Sequence, residues 1–124
     1  MAMRHVGQAR ELQVRSDDGT TLHVEVRGPE DGPTVVLAHC WATSSASWGP
    51  VVRALDPSLR VVLYDQRGHG RTPLPVTRAG YGAEKLAEDL CAVLEATVPE
   101  GHKAVVAGHS MGGMTIMAAG AHPV

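Results

Sequence analysis

Residues 108–112 of this 124-residue chain read Gly-His-Ser-Met-Gly and separate two apolar segments. The segment before them, residues 104–107, is short enough for a buried strand, whereas residues 111–121 are long enough for a helix. A strand that passes directly into a helix needs a sharp turn, and flanking glycines remove side chains that would crowd it. The sequence therefore predicts a strand, a turn with Ser110 at its apex, and a helix that packs inside a core because it is apolar on nearly all sides.

The preceding sequence predicts an α/β fold. Two alternating segments around Asp18-Gly19 indicate a hairpin, and two continuous apolar runs are typical of buried parallel strands. Two further segments have apolar residues at helical spacing. In chain order these elements are expected at residues 11–15, 21–27, 34–38, 47–55, 60–64 and 82–96. Alternation of strand and helix after the hairpin favours parallel strands joined by right-handed crossover helices, in a single domain over residues 1–124.

Both early helices are expected to bury one face. The apolar face of the first comprises Trp48, Val51, Val52 and Leu55. The apolar stripe of the second comprises Leu86, Leu90, Val93 and Leu94, and Asp89 falls among the polar residues outside it.

Composition excludes several functional classes. A net charge of -2 without a Lys/Arg cluster gives no electrostatic basis for binding nucleic acid or anionic lipid. No window approaches the roughly 18 apolar residues of a membrane span. Cys40 and Cys91 show no metal-ligand spacing, and nothing indicates a metal or other cofactor. The first ten residues lack the apolar segment of a signal peptide, so we expect a cytoplasmic protein.

Ser110 is the candidate nucleophile. A serine at a strand-to-helix turn is held in a strained backbone conformation, at a cost of about 1–3 kcal/mol. It also lies at a helix N-terminus, where the Met111 N–H is free and the helix dipole favours negative charge. The pattern Gly108-x-Ser-x-Gly112 is typical of the nucleophile elbow of a serine hydrolase. The alternative is a glycine-rich turn that contains an incidental serine.

A second set of candidates follows the strand over residues 34–38, where the sequence reads His39-Cys40-Trp41. An oxyanion hole needs two donors, and the Trp41 backbone N–H is the candidate partner of the Met111 N–H. The Trp41 side chain could equally be a core aromatic. His39 is expected to anchor this loop by hydrogen bonds, with a role as catalytic base as the alternative.

Residues 65–71, Asp-Gln-Arg-Gly-His-Gly-Arg, follow the strand over residues 60–64. We expect Asp65 and Arg67 to brace this loop through an ion pair and backbone hydrogen bonds. A phosphate-binding loop is rejected because the glycine spacing does not match one and no helix follows immediately.

Together, residues 35–41, 64–70 and 108–113 closely resemble the α/β-hydrolase fold family, in its esterase, lipase and non-haem haloperoxidase-like branch. The resemblance extends from about Leu12 to the last residue. It implies a truncated α/β-hydrolase core, with Ser110 as nucleophile and the Trp41 and Met111 amides as oxyanion hole. It also implies a small-molecule ester or acyl substrate. Serine instead of aspartate at the elbow points away from dehalogenases and epoxide hydrolases.

The chain departs from the family pattern at two points. Cys40 occupies a position where the family usually has glycine, so we expect its Cβ to strain the loop or crowd the oxyanion site. The family takes its acid and its histidine from sequence after the serine, where this chain offers only His122, roughly 15 Å away by helix rise.

We therefore expect an N-terminal portion of a serine hydrolase with little activity of its own. The alternative is a non-catalytic fragment or a scaffold that needs a partner chain. The strand over residues 104–107 is expected to form an open, uncharged edge that invites self-association.

Overall fold

A computed structural model of the chain describes residues 9–73 and 82–120. Within them, five strands form one mixed sheet with helices on both faces. In chain order the elements are β1 (Ala9–Arg15), β2 (Thr21–Arg27), β3 (Thr34–Ala38), a 3₁₀ turn (Ser45–Trp48), α1 (Gly49–Ala54), β4 (Arg60–Tyr64), α2 (Ala83–Thr97), β5 (Ala104–Gly108) and α3 (Met111–Ala119). No helix in the described ranges is long and apolar enough to span a membrane.

The strand order is β1-β2-β4-β3-β5. β1 and β2 form the predicted hairpin, and Gly19 turns it with a positive φ of 89°. β2 is antiparallel to β4, whereas β3 runs parallel to both β4 and β5. The carboxyl ends of β3, β4 and β5 therefore meet at one end of the sheet, as the predicted α/β arrangement requires.

The sheet has an apolar core on each face. On one face, α2 contributes Leu90 and Val93 to a cluster built on β2, β3 and β4. On the other face, Trp48, Val52 and Leu55 cover Leu37, Val61 and Leu63. Burial on both faces explains why β3 and β4 are continuous apolar runs.

Two details of the predicted helix faces are wrong. Val51 is 41% exposed, because the first helix is a 3₁₀ turn followed by a short α-helix and the change of pitch moves this side chain off the packed face. Asp89 is buried, not solvated, because its carboxylate forms an ion pair with the buried guanidinium of Arg67.

The prediction that residues 111–121 pack inside a core is also wrong for the described part, which ends at Gly120. Only Gly112 and Thr115 of α3 are buried, while Met114 is 66% and Met117 78% exposed. The physical reason is the position of α3, which packs against α2 and β5 at the edge of the sheet that β5 forms. Among the described residues β5 pairs with β3 alone, so it forms an open edge, as predicted.

Candidate functional site

Ser110 lies at the apex of the turn between β5 and α3. Its backbone has φ 55° and ψ −108°, a combination that residues with a side chain rarely adopt. The residue is exposed, and Oγ has no hydrogen-bond partner among the described residues. The structure thus places a serine in a strained and accessible conformation, as the sequence predicted.

Steric contacts explain why glycine flanks this turn. A Cβ on Gly108 would collide with the backbone of Gly112, and a Cβ on Gly112 would collide with the Ala38 carbonyl oxygen. The turn therefore packs tightly both on itself and on the end of β3. Neither position can accept a side chain without a shift of the backbone.

The backbone beyond Ser110 forms an ordinary helix start. The Gly112 N–H donates to the His109 carbonyl at 3.0 Å, and the Met114 N–H donates to the Ser110 carbonyl at 3.0 Å. The Met111 N–H has no partner in the part of the chain that the structure describes. A free N–H at a helix N-terminus can bind an anionic oxygen.

Residues 39–41 lie beside this turn because β3 and β5 are neighbours. Ala38 is opposite Gly108 in the strand register, and the His109 N–H donates to the Ala38 carbonyl at 3.2 Å. The Trp41 N–H has no hydrogen-bond partner within the described ranges. The Trp41 side chain is 67% exposed, so it is not a core aromatic, and its indole contacts the His69 ring edge-on.

His39 is fully buried and anchors this loop. The Gln66 N–H donates to His39 Nε2 at 2.9 Å, so Nδ1 carries the ring hydrogen and donates to the Cys40 carbonyl at 2.7 Å. Burial lowers the pKa of this imidazole below its ordinary value, because a charged ring would be poorly solvated there. The arrangement supports the predicted anchor, since both ring nitrogens are engaged by backbone groups.

The loop after β4 is braced, but not by the predicted ion pair. Asp65 accepts the backbone N–H groups of Ser45 at 2.8 Å and Arg71 at 3.1 Å. Burial raises the pKa of this carboxyl, but those hydrogen bonds outweigh burial and leave it below its ordinary value. The expected pairing of Asp65 with Arg67 is wrong, because the Arg67 guanidinium points away, toward the hairpin and α2.

Arg67 is fully buried and forms ion pairs with two other carboxylates. Its Nε and Nη2 donate to Asp89 at 2.7 Å each, and its Nη1 donates to Asp18 at 2.8 Å. The hydrogen bonds to Asp89 and Asp18 hold the pKa of Arg67 above its ordinary value. This network joins the loop after β4 to the hairpin turn and to α2, and thus explains why Asp89 is buried.

At Cys40 the backbone lacks the positive φ that would favour glycine, so its conformation gives no support to the expected strain, which stays a prediction. Only Ala42 and Ser110 have positive φ among the described residues other than glycine. The left-handed conformation in this loop thus lies two residues after Cys40, at Ala42 with φ 65°. Cys40 itself is half-buried, and whether its Cβ crowds the oxyanion site stays a prediction.

No described histidine is hydrogen-bonded to Ser110. His39 is committed to the loop, His109 is exposed, and the His69 ring packs against His39 and Trp41. His122 and His5 lie outside the described residues. The structure therefore shows a serine and two free amides without a hydrogen-bonded base in the described part of the chain.

A cavity of about 420 Å³ lies elsewhere, between β2 and the α1 face of the sheet. Its lining includes Arg27, Arg53, Arg71, Glu25 and Asp65, but neither Ser110 nor Trp41. Two of these arginines already have carboxylate partners, Arg27 with Glu25 and Arg71 with Glu11. Because neither Ser110 nor Trp41 lines it, the cavity is separate from the candidate site.

Sequence reasoning missed two buried polar residues next to the site, Gln66 and Thr115. Thr115 carried a signal, because it is the only hydrogen-bonding side chain in an otherwise apolar helix. Gln66 carried none, since a glutamine in a loop is usually solvated.

Comparisons with known proteins agree with this architecture. Residues 33–123 match the family model described as alpha/beta hydrolase fold. A 3-oxoadipate enol-lactonase from Acinetobacter baylyi is 34% identical over 90% of this chain and 40% of its own length. A non-heme chloroperoxidase from Streptomyces lividans is 39% identical over 81% of this chain and 35% of its own length. The chain thus spans two fifths or less of these relatives.

Solved structures are similar over the same region. The esterase RhEst1 from Rhodococcus has a TM-score of 0.78 and 34% identity over 88% of this chain and 39% of that chain. An epoxide hydrolase from an endophytic Streptomyces has a TM-score of 0.79 and 29% identity over 94% of this chain and 34% of that chain. Fold, family match and relatives agree, and the chain belongs to the α/β-hydrolase fold family.

Proposed function

We propose that this chain carries the nucleophile and the oxyanion hole of a serine hydrolase that cleaves a carboxylic ester or related acyl bond. The observation that carries the proposal is Ser110, exposed at a helix N-terminus with φ 55°. Backbone strain at an accessible serine costs free energy, and such strain is concentrated at functional sites. An incidental serine in a glycine-rich turn would have no reason to retain it.

The proposed reaction begins with attack of Ser110 Oγ on the carbonyl carbon. A C–O bond forms, the π electron pair moves to the carbonyl oxygen, and the serine proton passes to a base. The Trp41 and Met111 N–H groups stabilise the resulting oxyanion. The electron pair then returns, the bond to the leaving group breaks, and that group takes the proton. Water repeats the sequence on the acyl-enzyme and frees Ser110.

The base and its acid are proposed to come from sequence other than the described residues, because no histidine there is hydrogen-bonded to Ser110. In the family's triad order, acid and histidine follow the serine. The proposed unit is therefore a partial α/β-hydrolase domain over residues 1–124. Loss of triad members removes several orders of magnitude in rate, so this chain alone is expected to turn over esters very slowly.

A serine nucleophile favours acyl transfer over epoxide opening, although an epoxide hydrolase shares the fold. In the resemblance set out above, epoxide hydrolases have aspartate at the elbow. In this chain the residue at that position is Ser110, which has a hydroxyl and no carboxylate. The proposed substrate is therefore an acyl compound. Which acyl compound it is depends on the segments of the hydrolase that shape the acyl pocket.

A fluorophosphonate probe tests this function, because it reacts covalently with activated serines. Because the base is proposed to lie outside the described residues, labelling is expected to be slow, and intact-mass spectrometry after long exposure should show one adduct on the wild type. Peptide mapping should place this adduct on Ser110. Ser110→Ala should abolish the adduct, whereas Ser47→Ala, which removes another exposed serine hydroxyl, should not. A folded wild-type chain without any adduct would favour the second candidate, a non-catalytic scaffold that needs a partner chain.

A further inference from the structure

Gln66 and Thr115 form a buried polar connection between the two segments that bear the free amides. Both side chains are only 1% exposed, although both belong to residue types that are usually solvated. Gln66 follows β4, and Thr115 lies one turn into α3. Buried polar side chains must be hydrogen-bonded, so their partners show what the connection holds.

Gln66 holds the loop that leads to Trp41. Its backbone N–H donates to His39 Nε2 at 2.9 Å, and its Nε2 donates to the His39 carbonyl at 2.7 Å. His39 is thereby held through both its ring and its backbone. A shift of His39 would move the next residues of the loop, Cys40 and Trp41.

The oxygen of the Gln66 side-chain amide faces α3. Thr115 Oγ1 lies 3.1 Å from Gln66 Oε1 and 3.0 Å from the Met111 carbonyl oxygen. The hydroxyl has one hydrogen for these two acceptors, so it is shared between them. The chain of contacts thus runs from His39 through Gln66 and Thr115 to Met111.

We propose that Gln66 and Thr115 are positioning residues that fix the separation of the Trp41 and Met111 N–H groups. The inference rests on the proposed function, because that separation matters only if both amides bind one oxyanion. Donors of an oxyanion hole must be preorganised, and small displacements reduce their effect steeply. A rigid buried network is a physical means of holding these two loops, in addition to the backbone contacts that both make with Ala38.

The experiment compares Thr115→Val with Thr115→Ser and Thr97→Val in the full 124-residue chain. Thr97 is the matched control because it is also buried in a helix and its hydroxyl bonds the carbonyl four residues earlier, at 2.7 Å from Val93. Two quantities are measured: the Trp41 and Met111 amide resonances by ¹H–¹⁵N NMR, and the rate of fluorophosphonate labelling at Ser110.

Thr115→Val is expected to shift both amide resonances and to slow labelling about tenfold, less than the 10²–10³ caused by loss of a whole donor. Thr115→Ser should restore both readouts, and Thr97→Val should change neither. Gln66→Met, which keeps the length but cannot hydrogen-bond, should shift the same two resonances if Thr115→Val does not fold.

The proposal is overturned if either variant moves the Met111 resonance and leaves Trp41 unchanged, or if Thr97→Val slows labelling as much as Thr115→Val. Failure of the proposed function has a different signature. A wild type that takes up no probe contradicts the function, while the amide resonances still decide whether the connection couples the two segments.

Discussion

The α-carbon of Gly112 faces the carbonyl oxygen of Ala38 with no room for a methyl group between them. This contact packs the first turn of α3 against the end of β3, the strand that leads into residues 39–41. The turn at Ser110 and the loop that follows β3 are therefore held side by side for a simple steric reason. The close approach of helix and strand is possible only because residue 112 has no side chain.

Gly112→Ala is expected to destabilise the chain by about 1–3 kcal/mol, because the new Cβ can be accommodated only by moving α3 away from β3. Gly113→Ala is the matched control at the next helical position. Its nearest contact would be the Gly108 carbonyl oxygen at 3.8 Å, so it should stabilise α3 by about 0.5–1 kcal/mol. Urea unfolding of the two variants measures both effects. Equal effects of the same sign would contradict this account of the turn.

Ala42→Gly is expected to stabilise the chain by about 0.5–1 kcal/mol. A left-handed φ of 65° costs alanine roughly 1–2 kcal/mol, and the greater freedom of glycine in the unfolded chain offsets part of the gain. Cys40→Gly should destabilise by a few tenths of a kcal/mol or more, because Cys40 has no positive φ to relieve. Thermal melts of the two variants compare them directly. A Cys40→Gly variant that is more stable than the wild type would show that Cys40 strains the loop, as the sequence suggests.

The pKa of His39 should make stability depend on pH. Because burial lowers this pKa, the unfolded chain binds more protons than the folded chain between the lowered value and about 6.5. The contribution of neutral His39 is therefore complete above about pH 6.5 and decreases as the pH falls below it. Protonation would also remove the acceptor of the Gln66 N–H.

The measurement is urea unfolding at several pH values between 7.5 and 5.5. His39→Gln, which cannot titrate, is expected to be less stable than the wild type at pH 7.5 and to lose less stability as the pH falls. Parallel curves for the two proteins would show that His39 does not titrate differently on folding.

Much of the fold could be predicted because its signals are local. The hairpin follows from Asp18-Gly19 between alternating segments, and the limits of β3 and β4 coincide with their apolar runs. The turn at Ser110 was readable for the same reason, since its glycines exclude collisions within a few residues.

The errors concern partners that are distant in sequence. Proximity in sequence predicts a pair between Arg67 and Asp65, but the carboxylate partners of Arg67 are Asp18 and Asp89, which are 49 and 22 residues away. The burial of Gln66 could not be read for the same reason, because its partner Thr115 is 49 residues away. Hydrophobic periodicity identifies which face of an element is buried, but not which polar groups meet there.

The open edge at β5 should lead to self-association. β5 is uncharged, lacks a strand partner on one side among the described residues, and exposes 65% of Val105. Unpaired N–H and C=O groups beside exposed apolar side chains are a template for pairing with a second copy.

Sedimentation velocity is expected to show concentration-dependent association of the wild type. Val105→Lys should reduce this association by placing like charges at the edge. Val51→Lys is the control, because Val51 is also an exposed valine but lies on α1. Equal reduction by both lysines would indicate a general effect of charge on solubility, and a wild type that stays monomeric at all concentrations would show that the edge is protected.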